Sequence, residues 1–470
     1  MSSTMKQELL KKLPSINDLL NSPGAGAWLA AHPRQLVADC IRAAVEEVRR
    51  QIIEDSTGRC GPAHVTEDFL LTEAGRRLAE ATQPHVRPAI NATGIILHTG
   101  LGRAVWPECV VDSIAPDLKG YVTLAADRET GKRSERHNRV EYILTELTGA
   151  EAATVVNNNA AATMLVLAAL GRGREVIVSR GQLIEIGGAF RLPDVMAESG
   201  ARMVEVGTTN RTHLRDYEKA VTEATAVIFR AHPSNYRVVG FTSEVPLEQL
   251  VELAHGRGLV MIDDLGAGAL IGLEQFGLPH EPTMGESIVA GADVVISSAD
   301  KLIGASQGGV IVGKKKYLDV IRRHPLARAM RADKTCLMAL ERTLQMFRDP
   351  QRLRTEHPTY RMLTTPLEEL IARAGKLAGA IKAAAPSAEV EVIDGVGYLG
   401  SGSLPMEALP TRLVVLSVPA LTADMLARRL RTDEACIFSR IENDRVLLDV
   451  RTVHDDEVPA IAAAVARFAR

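Results

Sequence analysis

The chain has few cysteines, no long apolar run and almost no net charge. Its 470 residues include five cysteines, Cys40, Cys60, Cys109, Cys336 and Cys436. They are scattered, odd in number, and show no Cys-x-x-Cys or other metal-like spacing. This excludes a disulfide framework and predicts reduced, buried thiols of a cytoplasmic protein. No apolar run approaches the ~20 residues of a membrane span. The first residues are polar and lysine-bearing, without the apolar segment of a secretion signal. No membrane partner is expected. The net charge of -3 gives no general pull toward nucleic acid, so any such binding needs a local patch. Internal repeats and low-complexity tracts are also absent. What remains is an ordinary globular composition, 46% hydrophobic and 24% charged. This length predicts two or three domains.

Residues 1–85 read as a helical N-terminal domain. Leu36, Val37, Cys40, Ile41, Ala44, Val45, Val48 and Ile52 recur at helical spacing between Gln35 and Ile52, and Thr66 to Ala81 repeats the pattern. Residues 1–83 carry 10 Lys and Arg against 11 Asp and Glu, a net of about -1. Residues 86–345 alternate short β-branched runs with helical ones. Ala153–Val156, Glu175–Ser179, Arg202–Val206, Ala226–Phe229, Leu259–Ile262 and Asp293–Ile296 read as strands. This spacing predicts βαβ crossovers and a mostly parallel sheet, with ligands outside the carboxyl ends of the strands. Residues 346–470 read as a small α+β domain. Its helices are expected over Pro366–Ala384, Thr422–Arg431 and Asp456–Phe468, and its strands over Glu389–Ile393, Arg412–Ser417 and Arg445–Asp449.

From Val294 an apolar run ends in Ser297, Ser298, Ala299, Asp300 and Lys301, before the glycine-rich stretch Gly304–Gly309. Lys301 is therefore expected at the end of a buried strand, facing a cleft. Desolvation there can strip its charge and leave a nucleophilic amine. A surface lysine in a turn is the plain alternative, because Ser-Asp-Lys alone is a short signal. Two other segments tip the balance. Asn157, Asn158 and Asn159, followed by Ala160 and Ala161, form a strand end, a polar turn and a helix start. N–H groups and the helix dipole there favour a phosphate. Asp263 and Asp264 close the strand Val260–Ile262, and a carboxylate there can pair with a pyridine nitrogen. No His, Asp or Glu lies nearby at ligand spacing, so no metal is expected. The order of phosphate turn, acid and lysine predicts a fold-type I enzyme that forms a Schiff base between pyridoxal 5'-phosphate and Lys301.

Lys314 to Lys334 holds eight basic residues and two acids, a net of +6. Arg328 and Arg331 are three apart, which predicts one helix face. That face is either solvated or a grip for an anionic co-substrate, as is Arg103 in its glycine-rich turn.

The chain resembles the bacterial selenocysteine synthases, the L-seryl-tRNA(Sec) selenium transferases. The resemblance rests on Asn91–Arg103, Val156–Ala162, Ser179–Arg191, Glu205–His213, Asp264–Gly266, Asp300–Leu302, Arg328–Lys334 and Gly400–Pro405. It implies β-elimination of water from seryl-tRNA(Sec), then selenium addition from selenophosphate. It also implies a homo-oligomer, typically a decamer, with tRNA recognised by the N-terminal domain. Lys301 would be the cofactor lysine and Asp264 the pyridine partner. Asp300 would assist proton transfer, and Arg103, Arg328 and Arg331 would bind selenophosphate. The chain departs from the family pattern at Gln182, where a Glu is usual. The rival reading is a pyridoxal-phosphate lyase or transferase for a free amino acid or amino sugar.

Overall fold

In the first unit, Thr66 starts a helix by accepting the Phe69 N–H at 3.3 Å, and Glu67–Thr82 follows. That helix buries Leu70, Leu71, Ala74 and Leu78 against Val37, Ile41, Ala44, Val45, Val48 and Ile52 of the helix Arg34–Glu54. Each fully buried aliphatic side chain of this kind contributes roughly 1.5–3 kcal/mol. Both helices fall where the periodicity placed them. Arg42, Arg49 and Arg50 pair along their own helix with Asp39, Glu46 and Glu47. These arginines are thus neutralised along their own helix. Residues 1–88 form this unit and residues 89–470 the second.

The computed structural model describes residues 3–55, 60–188, 190–233, 235–401, 404, 407–419 and 421–469. Of the stretches quoted above, Ala189, Gly402, Ser403 and Pro405 lie outside the described residues.

The second unit is built on a seven-stranded sheet. In chain order its strands are β1 (Ala152–Val156), β2 (Glu175–Ser179), β3 (Arg202–Val206), β4 (Thr225–Ala231), β5 (Val260–Gly266), β6 (Val294–Ser298) and β7 (Gly309–Gly313). Their order across the sheet is β1-β7-β6-β5-β4-β2-β3. β7 runs antiparallel to both its neighbours, and the β2–β3, β2–β4, β4–β5 and β5–β6 pairs are parallel. β1, β6 and β7 are buried at every position, as expected of apolar runs covered by helices on both faces. Gly309 pairs with Val156 on one side and Ser298 on the other. A Cβ there would lie 2.2 Å from the Asn158 carbonyl oxygen, so only glycine lets β7 pass between the two strand ends that carry the site.

A second sheet of five strands has the order Ile90–Ala92, Ile437–Glu442, Arg445–Asp449, Leu409–Ser417 and Glu389–Gly397. The chain therefore visits this sheet at residues 90–92 before it enters the first. Helices Leu367–Ala384, Ala423–Thr432 and Val458–Phe468 supply its core with Leu370, Leu377, Leu426 and Ile461. Among the described residues, no helix is long and apolar enough to cross a membrane.

Candidate active site

The carboxyl ends of β1, β4, β5 and β6 meet at one cavity of about 260 Å³. Lys301 lies three residues past β6 and is only 6% exposed. Burial pushes its amine below the ordinary lysine value, and Asp300 and Asp264 oppose that shift. The turn that carries it is fastened from below. His357, fully buried, donates from Nε2 to the Ile303 carbonyl at 3.0 Å. Burial holds this imidazole neutral, at about 4. Gly304 has φ +70° and lies so close that a Cβ would sit 2.1 Å from the His357 ring.

The turn after β1 reads as expected. The Asn158 side chain accepts the Ala161 N–H at 2.8 Å and caps the helix Asn159–Leu170. Asn158, Asn159 and Ala160 face the cavity, and the first N–H groups of a helix have no intrahelical acceptor. Asn157 turns to the structure instead, donating its N–H to the Met330 carbonyl at 2.8 Å. Asn159 and Thr163 are one turn apart on the same helix face. Asn159 Nδ2 donates to Asp264 Oδ1 at 3.0 Å, and Thr163 Oγ1 to Asp264 Oδ2 at 2.9 Å. The Gly266 N–H adds a third donor to Asp264 at 3.1 Å. Burial raises the Asp264 carboxyl, and the donors from Asn159, Thr163 and Gly266 hold it back. Asp263 points elsewhere, to Arg230 and to Ser287 at 2.7 Å, and is a core residue.

Arg103 reaches the same cavity and forms an ion pair with Asp300. It sits at φ +65° directly after Gly102, a conformation that aims the side chain inward from the turn. His232, the first residue past β4, also lines the cavity. Its N–H donates to the Asp264 carbonyl at 2.8 Å, and its Nε2 lies 3.6 Å from the buried Glu281. Gln182 is buried and accepts the Ala231 N–H at 3.3 Å. A neutral amide makes that bond without burying a charge.

Arg328 and Arg331 do not line this cavity. They line a larger cleft of about 640 Å³ beside β1, with Arg133, Arg136, Arg322 and Lys315. The expectation that they share a helix face is also corrected. The helix is Pro325–Ala329, and Arg331 lies past its end, in a backbone bridge with Val156. Pro325 separates this helix from the preceding Lys315–Arg323 and sits at its first position, and the chain then turns to pair with β1. Burial, then the charges of Arg331, Arg133 and Arg328, push the Arg136 guanidinium down, against Asp333. Arg133, Arg136, Thr163, His232, Glu281 and His357 were given no role from sequence. The Asn159–Thr163 spacing of four was a usable signal for Thr163. The others depend on contacts between distant segments.

The residues fit pyridoxal phosphate. Burial pushes the Lys301 amine toward its neutral form, Asp264 is a buried carboxyl with three donors, and a helix N-terminus opens onto the same cavity. A cationic ring nitrogen beside Asp264 would offset the burial that raises its carboxyl. Fold and site define a pyridoxal-phosphate-dependent enzyme of fold type I. The solved structure of a D-glucosaminate-6-phosphate ammonia-lyase superposes with a TM-score of 0.57 at 22% identity, over 82% of this chain and 97% of that one. The L-seryl-tRNA selenium transferase family model matches residues 89–454, and the selenocysteine synthase N-terminal model matches residues 10–49. The chain is 46% identical to the L-seryl-tRNA(Sec) selenium transferase of Solidesulfovibrio magneticus, over 98% of each chain. It is 42% identical to that of Geobacter sulfurreducens, over 98% of this chain and 99% of the relative. The chain belongs to the L-seryl-tRNA selenium transferase family.

Proposed function

We propose that the enzyme converts L-seryl-tRNA(Sec) to L-selenocysteinyl-tRNA(Sec) with selenophosphate, as a homo-oligomer in the cytoplasm. The observation that carries this reading is the cavity, where Lys301, Asp264 and the Arg103–Asp300 pair converge in a full-length member of this family. Lys301 and Asp264 would hold the cofactor, and Asn158, Asn159 and Ala160 of the turn after β1 would hold its phosphate. Bound there, pyridoxal phosphate supplies an electron sink for the charge left when the seryl Cα proton departs. Lys301 takes that proton at Nζ, because burial favours the uncharged form of the amine. Asp300 keeps Arg103 aimed into the cavity. Arg103, Arg328 and Arg331 bind the anionic selenium donor. Because the last two line a different cleft of the same chain, a second copy would have to bring them to Lys301, which supports the oligomer. Residues 1–85 recognise the tRNA, residues 86–345 hold the cofactor, and residues 346–470 close the site as a small domain. The match of residues 10–49 supports the first of these roles.

The test is transfer of labelled selenium from selenophosphate to seryl-tRNA(Sec) and to seryl-tRNA(Ser) by the purified, cofactor-loaded protein. Label on tRNA(Sec) alone is expected. Deamination of free serine or an amino sugar, with no label on either tRNA, would replace this reading with a small-molecule lyase.

A further inference from the structure

Among the described residues, five titratable side chains line the Lys301 cavity: Arg103, His232, Asp264, Asp300 and Lys301. Four are committed. Arg103 and Asp300 neutralise each other, Asp264 is held by Asn159, Thr163 and Gly266, and Lys301 is the base at Cα. The proposed reaction still needs a proton donor, because the serine β-oxygen is a poor leaving group as hydroxide. Asp300 is badly placed for that task. Its carboxylate is tied to the Arg103 guanidinium and is not free to turn to the leaving oxygen.

His232 is the group left over, and the fold fixes it from several sides. Ala231 pairs in register with Asp264, and the His232 N–H donates to the Asp264 carbonyl. Gln182 takes the N–H of the preceding Ala231. The imidazole Nε2 faces Glu281, which is only 4% exposed. Glu281 sits just ahead of Thr283, whose capping box with Glu286 starts the helix Met284–Val289 and anchors the loop. A buried carboxylate beside one ring nitrogen orients the imidazole, the arrangement expected of a positioned proton donor.

We propose that His232, oriented by Glu281, is the catalytic acid that protonates the seryl β-oxygen as it leaves. The inference rests on the reaction proposed above. Lys301 takes the Cα proton, and the electron pair of that bond forms the new Cα–Cβ double bond. The Cβ–O bond breaks with its pair going to oxygen. The imidazolium gives its proton to that oxygen, water departs, and the ring regains a proton from solvent.

The test compares two leaving groups in the full-length holoenzyme. Oxygen needs a proton to leave and chloride does not. His232→Asn should lower selenium transfer to seryl-tRNA(Sec) by about 10²–10⁴-fold, and leave transfer to β-chloroalanyl-tRNA(Sec) near the wild-type rate. Glu281→Gln, a positioning change, should show the same split with a smaller loss. Pyridoxal-phosphate affinity and the visible absorption band, read without substrate, should match the wild type in both variants. Equal losses with both leaving groups, or a shifted band or affinity, would overturn the proposal and make His232 a cofactor-holding residue. If wild type transfers selenium to neither tRNA, the reaction proposed above has failed. The same split is then read on free serine against β-chloroalanine, where equal losses again overturn the role of His232.

Discussion

The cavity at Lys301 and the cleft beside β1 both gather ionised side chains in the same unit, and they treat charge in opposite ways. In the cavity, acids and bases sit side by side: Arg103 pairs with Asp300, Asp264 lies close to Lys301, and Glu281 lies beside His232. Burial then does the tuning, lowering the amine and raising the carboxyl. Among the described residues of the cleft, Arg133, Arg136, Arg328 and Arg331 gather with only Glu135 and Asp319 against them, and Arg136 is pushed down by burial first and then by the other three arginines. A set of balanced charges can move protons at little electrostatic cost. A set of like charges is complete only when an anion from outside joins it.

This contrast is broken most directly by removing one member from each side. Lys301→Ala should lose the visible cofactor band and reduce selenium transfer by about 10⁴-fold, since the base is gone. Arg328→Ala with Arg331→Ala should keep the band and the cofactor affinity, yet reduce transfer by about 10³-fold through loss of the donor anion. Absorption spectra and a transfer assay on the two variants suffice. A double arginine variant that loses the band, or that transfers normally, would erase the division of labour between the two sites.

Much of the cavity was legible in the sequence because its members sit at strand ends, where apolar runs stop at marked residues. Lys301 after Val294–Ser298, Asp264 after Val260–Ile262, and the asparagines after Ala153–Val156 all follow that rule. The helices Arg34–Glu54 and Glu67–Thr82 were legible because one face of each is continuously apolar. The antiparallel direction of β7 was not, because direction depends on the length and path of the connection rather than on side-chain pattern. His357 was not legible either. It lies 56 positions after Lys301, and its role comes from one hydrogen bond and one glycine contact that no local spacing encodes. The cleft was half legible. The basic run was visible, but Arg133 and Arg136 join it only through packing beside β1.

The cavity's dependence on neutral, buried groups gives it an acid limit that the cleft does not share. His357 titrates at about 4 in the folded protein, against an ordinary value near 6.5. Its folded value is depressed, so the unfolded chain binds the proton more readily. The stabilisation is full above about 6.5 and is lost as pH falls toward about 4, on the order of 3 kcal/mol in all. His357→Gln keeps a donor for the Ile303 carbonyl but removes the titration. Its stability should therefore fall less steeply between these two pH values, as read by denaturant melts across the range. An unchanged slope would mean that other buried groups set the acid limit.

The smallest effect belongs to Arg136, and it separates the two kinds of site most cleanly. A residue held among like charges destabilises the chain until an anion arrives, and stabilises the complex afterwards. Arg136→Gln should therefore raise Tm slightly in low salt without added anion. It should also shrink the rise in Tm that inorganic phosphate gives the wild type. Raising the ionic strength should narrow the first difference, because exposed charges such as Arg133 and Arg331 are screened. The corresponding change in the cavity, Arg103→Gln, should lower Tm instead, since it strips Asp300 of its partner at a nearly buried position. Opposite signs for two Arg→Gln substitutions in one unit follow only if one arginine already has its counter-ion within the chain and the other awaits it.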